Sequence, residues 1–198
     1  ELFTQKGMTK MNAYLILENG QVFKGKSFGY EKETAGELVF TTGAVGYIET
    51  LTDPSFAGQI VVQTFPLIGN YGMISADVES KKAHVAGYIV RDICEMPSNF
   101  RCETTLEEYL KEQGIMGICD IDTRELTKTI RDNGTLMGKI VQDDCTAELS
   151  CVNPNVVNQV DEVSCKEVIR YNEGKGKKVV LLDCGVKNSI LRTLANKE

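Results

Sequence analysis

The first half of this chain is a succession of short runs rich in β-branched and aromatic residues, each closed by Gly, Pro, Asn or Asp. That punctuation excludes long helices and predicts strands. In AYLILENGQVFKG (13–25) two such runs flank Asn19-Gly20. The spacing predicts a hairpin with a type I′ turn, since Asn and Gly tolerate the positive φ values that turn needs. GELVFTT (36–42), QIVVQTF (59–65) and HVAGYIV (84–90) continue the strand series.

Helical spacing enters later. In TTLEEYLKEQG (104–114), Leu106, Tyr109 and Leu110 share a face, and Thr104 with Glu107 or Thr105 with Glu108 offers a capping box before Gly114. IMGICDI (115–121) reads as a strand, and Asp122 opens a second helix, TRELTKTIRDNG, striped by Leu126 and Ile130 and stopped by Gly134. TLMGKIV (135–141) returns as a strand. The strand–helix–strand–helix–strand order predicts an α/β fold, layered behind the initial β section. Residues 142–178 have weak periodicity, room for one short helix, and a linker-like GKGKK end. VVLLDCG (179–185) then reads as a continuous apolar strand, followed by a helix through Ile190, Leu191 and Leu194. Such a β–α unit opens a doubly wound sheet, and a strand apolar on both faces needs neighbours.

Charge narrows the function classes. Among 198 residues, 22 Lys+Arg face 28 Asp+Glu, a net charge of −6. An acidic chain without a basic face is a poor nucleic-acid or anionic-membrane binder, and no apolar run reaches membrane-spanning length. The seven cysteines (94, 102, 119, 145, 151, 165 and 184) are odd in number and show neither C-x-x-C nor zinc-finger spacing. They predict no metal site and a reduced, cytoplasmic setting rather than a disulfide framework.

Few residues announce chemistry. There is one histidine, His84, with no local triad partner; a packed or capping role is expected. Cys184 ends the last apolar run, where α/β folds place functional groups, yet nothing near it in sequence would activate a thiol. Gly43 and Gly46 in TTGAVGYIETLTDPS (41–55) would let a backbone approach a ligand, but their spacing matches no phosphate loop and fits a strand-to-helix turn. FPLIGNYGM (65–73) has the same ambiguity. Asp53 and Asp122 are accounted for by turn and cap duties.

From Phe40, the string FTTGAVGYIETLTDPSFAGQIVVQTFPLIGNYG resembles the carbamoyl phosphate synthase small-subunit family. AHVAGYIVRD (83–92), PSNFR (97–101), L-x-x-Y-L (106–110), GICDIDTRELTKTIRDNGTLMGKI (117–140) and VVLLDCGVKNSIL (179–191) continue it in the family's order. The motifs GYIETLTDPS and IDTRELTK are too long for coincidence. The resemblance implies a leader or cloning remnant over 1–11 and a layered β/β/α N-terminal domain over 12–141. A connecting region over 142–178 would follow, then, over 179–198, the first strand and helix of a doubly wound class I glutaminase domain.

In that family the small subunit hydrolyses L-glutamine and passes ammonia to a large synthetase subunit. The large subunit makes carbamoyl phosphate from bicarbonate and ATP for arginine and pyrimidine synthesis. The glutaminase is a Cys–His–Glu arrangement with a backbone oxyanion hole. The family pattern puts those residues past Glu198, so the resemblance implies no catalytic residue, cofactor or metal in this chain. Its expected partner is the large synthetase subunit, with no nucleic acid or membrane. One substrate contact carries over: Gly43 stands where the family often has a Ser that touches glutamine. Without a hydroxyl, Gly43 can contribute only its backbone. Lys187 aligns with a basic residue often kept near the glutaminase site. Two other readings compete, a stand-alone, non-catalytic interaction module sharing only the fold, and a small cysteine hydrolase using Cys184 and His84.

Overall fold

The punctuated runs become strands because each finds backbone partners. The structure, a computed structural model, describes residues 10–143, 156–172, 174 and 176–196. β1 (Asn12–Leu17) and β2 (Val22–Gly29) form the expected hairpin, with Asn12 opposite Lys26 and Ile16 opposite Val22. Its turn corrects the sequence expectation. Asn19 does not adopt positive φ; only Gly20 does, at +85°, and the Leu17 amide donates to the Gln21 carbonyl at 2.9 Å. The Asn19 side chain explains the wider loop, since its Oδ1 accepts from the Gln21 amide at 3.0 Å.

β3 (Thr34–Thr41) and β4 (Gln59–Gln63) lie parallel, Leu38 opposite Ile60. β5 (Leu67–Ile68) forms a small parallel pair with β7 (Asp92–Ile93), on either side of β6 (Gly87–Ile89) in sequence. β8 (Met116–Cys119) and β9 (Leu136–Gln142) complete the set. The order in space is β1-β2-β8-β6-β4-β3-β9, and β9 pairs back onto β1, Leu17 opposite Gly138, so seven strands close a barrel. The α/β class holds, but the seven main strands close on themselves instead of forming two stacked layers. The β1 edge that layering would leave open is satisfied by β9, and unpaired edges are what closure removes.

Alternation gives the barrel two apolar faces. Ala13, Leu15, Leu38, Ile60, Val62, Met116, Ile118 and Ile140 pack on one face, with Leu126 and Ile130 of α3 (Thr123–Asn133) laid onto it. The other face carries Val61, Tyr88 and Val90 beneath α1 (Tyr47–Thr52) and α2 (Leu106–Glu112). Caps form where the residues predict. Thr105 and Glu108 exchange reciprocal hydrogen bonds, 3.2 and 3.0 Å, and the backbone bond from Thr105 leads in holding the Glu108 carboxyl below its usual range. Asp122 accepts from the Glu125 amide at 2.9 Å, and Gly134, φ +77°, ends α3.

Past β9, residues 144–155, with Cys145 and Cys151, lie outside the described residues. A short helix, α4 (Gln159–Val163), occupies the connecting region, which had room for one despite its weak periodicity, and α5 (Asn188–Ala195) forms near the end. The run VVLLD does not become a strand. Val180 is 96% exposed and Leu182 86%, because no described strand lies beside it to complete a ladder. Cys94, Cys102, Cys119, Cys165 and Cys184 are free thiols, and Cys119 packs in the barrel wall as a small hydrophobe.

Candidate functional site

The glycine-rich turn between β3 and α1 is exposed, and buried side chains hold its backbone from below. At the end of β4, Gln63 is 1% exposed. Its Nε2 donates to the Gly43 carbonyl at 2.8 Å, while its Oε1 accepts from the buried Tyr88 hydroxyl on β6 at 3.4 Å. The other end of the turn is tied as firmly. Gly46 adopts φ +88°, and the amides of Gly46 and Tyr47 donate to the Tyr71 hydroxyl at 2.9 and 3.3 Å. The Tyr71 ring stacks on Tyr47 with centroids 4.2 Å apart, and the Tyr47 hydroxyl donates to the Gly72 carbonyl at 2.6 Å. Burial pushes the phenols of Tyr47, Tyr71 and Tyr88 up, so all three stay protonated and available as donors.

Gly43 therefore has a fixed carbonyl and an exposed surface. A Cβ added there would meet the Val45 carbonyl at 3.0 Å, a tight but local contact. Among the described residues, no hydrogen bond within the chain uses the amides of Ala44 or Val45. The turn offers backbone donors toward solvent and no titratable group, which suits binding an oxygen-bearing ligand and not proton transfer. Its supports, Gln63, Tyr47, Tyr71 and Tyr88, escape sequence reasoning. Two of them, Tyr47 and Tyr71, stand inside the glycine-rich strings, and a polar residue closing an apolar strand run is the signal that marks Gln63.

The remaining candidates are not assembled into a catalytic group. The Nε2 of His84 sits 3.0 Å from the Ser80 hydroxyl, which donates to the Thr52 carbonyl at 2.6 Å, so the imidazole N–H faces Ser80. Burial first, and then the charge of Lys82, hold the His84 pKa below its ordinary value. This is the packed role expected of it. Cys184 is exposed, and the hydrogen bond of the His84 ring goes to Ser80 rather than to this thiol. Asp53 accepts from the Ser55 amide at 2.9 Å and pairs with Lys187 at 3.3 Å. Among the described residues no group of three or more His, Cys, Asp or Glu could hold a metal, and no helix is long and apolar enough to cross a membrane.

Comparison with known proteins bears on this arrangement. Residues 15–140 match the family model described as carbamoyl-phosphate synthase small chain, CPSase domain. A Clostridium perfringens protein named carbamoyl phosphate synthase small chain is 50% identical over 192 residues, covering 94% of this chain and 54% of its own. A Bacillus caldolyticus protein of the same name is 48% identical over 188 residues, with 93% and 51% covered. A carbamoyl phosphate synthase pyrimidine-specific small chain of Bacillus subtilis is 46% identical over 192 residues, with 95% and 52% covered. The chain spans about half the length of the curated relatives it matches. Relatives of this identity match well beyond the barrel, which sets aside a module sharing only the fold: the chain belongs to the carbamoyl-phosphate synthase small chain family.

Proposed function

We propose that this chain is the N-terminal part of the small subunit of a glutamine-hydrolysing carbamoyl phosphate synthase. In this reading it docks on a large synthetase subunit and walls one side of the glutamine site with the Gly43 turn. The observation that carries the reading is the turn itself: an exposed backbone whose carbonyl is fixed by buried Gln63 and whose far end is fixed by Tyr71. A rigid set of backbone groups can orient the polar end of an amino-acid substrate without a side chain. Residues 12–141 form the barrel domain, 142–178 connect, and 179–198 begin the glutaminase domain. Nucleophile and base belong to the part of the relatives' length this chain does not span, so hydrolysis requires that part. Ammonia then passes to the large subunit for synthesis with bicarbonate and ATP.

The test compares ammonia release from glutamine by the purified 198-residue chain with that by the full-length subunit bound to its large partner. The expected result is no turnover by the chain alone and turnover by the complex. Turnover by the chain that disappears in Cys184→Ser overturns the reading. In the complex, Gly43→Ser, which adds a hydroxyl at the turn, lowers KM for glutamine about threefold, the scale of a weak neutral hydrogen bond. An unchanged KM removes Gly43 from the site.

A further inference from the structure

Helix α5 cannot hold itself in place. Its N-cap residue is Lys187, which supplies no capping bond and sets a positive charge at the positive end of the helix dipole. None of its residues is buried, and Ile190 and Leu194 remain 42% and 39% exposed. Apolar packing is therefore a weak anchor. The barrel side supplies what the helix lacks. Glu79, 8% exposed and the one buried carboxylate among the described residues, accepts the Ser189 amide at its Oε2, 2.8 Å, and the Asn188 amide at its backbone carbonyl, 2.7 Å. The Asn188 side chain donates to the Val78 carbonyl at 3.3 Å, and Arg192 to the Ala76 carbonyl at 3.3 Å. Asp53, 3.3 Å from the Lys187 ammonium, offsets the adverse charge.

These contacts converge on the C-terminal end of α1. The Glu79 amide donates to the Thr52 hydroxyl at 2.9 Å, and Asp53 is the residue that ends the helix. The opposite end of α1 is Gly46, where the Gly43 turn finishes. One short, buried helix thus has the turn tied to its N-terminus and α5 tied to its C-terminus. Gly185 seats the approach to α5 on the same ground, since a Cβ there would lie 3.0 Å from Pro54 and 2.8 Å from Val163.

We propose that Glu79, with Asp53, is a positioning clamp. It caps α5 from the barrel and sets the distance between the Gly43 turn and the chain that follows Asp183. The kinetic consequence rests on the glutamine-site reading above, whereas the clamp itself does not. A glutamine pocket shared between the turn and the chain beyond α5 would keep its dimensions only while the clamp holds.

Hydrogen–deuterium exchange at Ser189 to Leu191 and tryptic cleavage after Arg192, both on the 198-residue chain, test the clamp directly. Glu79→Ala should raise both rates about tenfold, the scale of losing a charged cap, with Glu79→Gln intermediate because its amide oxygen still accepts. Asp53→Asn, whose side-chain oxygen still accepts from the Ser55 amide, should raise them less, because the Lys187 charge at the start of α5 loses its counter-charge while Glu79 keeps its bond. Native rates in both Glu79→Gln and Asp53→Asn overturn the clamp, even if Glu79→Ala fails to fold. In the full-length subunit with its large partner, Glu79→Gln should raise KM for glutamine several-fold with kcat changed less than twofold. An unchanged KM beside a loosened α5 overturns the positioning role. A native complex that does not use glutamine would refute the functional reading and leave the exchange result standing.

Discussion

At the scale of single residues, the Gly43 turn is held by a neutral, buried side chain. Gln63 serves two groups at once, the Gly43 carbonyl and the Tyr88 hydroxyl. Replacing it with leucine keeps the volume and strands both partners, which costs roughly 1–3 kcal/mol for a buried polar group left unsatisfied. Urea denaturation of Gln63→Leu should show that loss, and the double variant Gln63→Leu/Tyr88→Phe should recover part of it. His84 gives a pH signature. Its pKa is lowered on folding, by burial first, so the unfolded chain takes up the proton more readily. Its contribution is present above the unfolded value near 6.5 and is lost as pH falls through the folded one. Thermal midpoints of the native chain should therefore fall on acidification below pH 6.5 by more than those of His84→Gln. Because His84 is the one histidine, the difference isolates its effect. Parallel pH profiles would refute the assignment.

At the scale of elements, local chemistry decides which segments stand alone. The box between Thr105 and Glu108 satisfies two orphan amides of α2 within four residues of sequence. Thr105→Ala should cost about 1 kcal/mol, measured as a shift in the urea midpoint with an unchanged slope. The caps of α2 and α3 were legible in the sequence because their partners are three residues away. The hairpin turn was legible only in part: Asn19-Gly20 marks the place, while Asn19's own bond to Gln21 selects the loop. Residues 179–183 show the converse. Their apolar run is strand-like by composition, yet a strand exists only with a neighbour to share its hydrogen bonds, and here Val180 and Leu182 stay in water.

At the scale of the whole molecule, the ring of strands depends on close backbone approach where β9 crosses β1 and β3. A Cβ at Gly138 would lie 2.5 Å from Leu38 Cδ1 and 3.2 Å from Leu15 Cδ1, inside the barrel. Gly138→Val should destabilise the protein by about 1–3 kcal/mol through overpacking, with exchange rising first in β1 and β9, whose pairing closes the ring. Loss confined to another pair of strands would argue against closure at this seam.

Segment type as far as β9, helix caps, the turn positions and the family resemblance were readable from the chain itself. They rest on periodicity, on partners a few residues apart, or on long motifs such as GYIETLTDPS. Closure of the barrel was not readable, because the pairing of Leu17 with Gly138 joins residues from opposite ends of the domain. The same holds for the supports of Gly43 and the capping of α5 by Glu79, where Glu79 and Ser189 are 110 positions apart. A sequence determines which hydrogen-bonding groups need partners. Only the tertiary fold decides which distant group meets them, since that depends on how the packed faces bring the chain together.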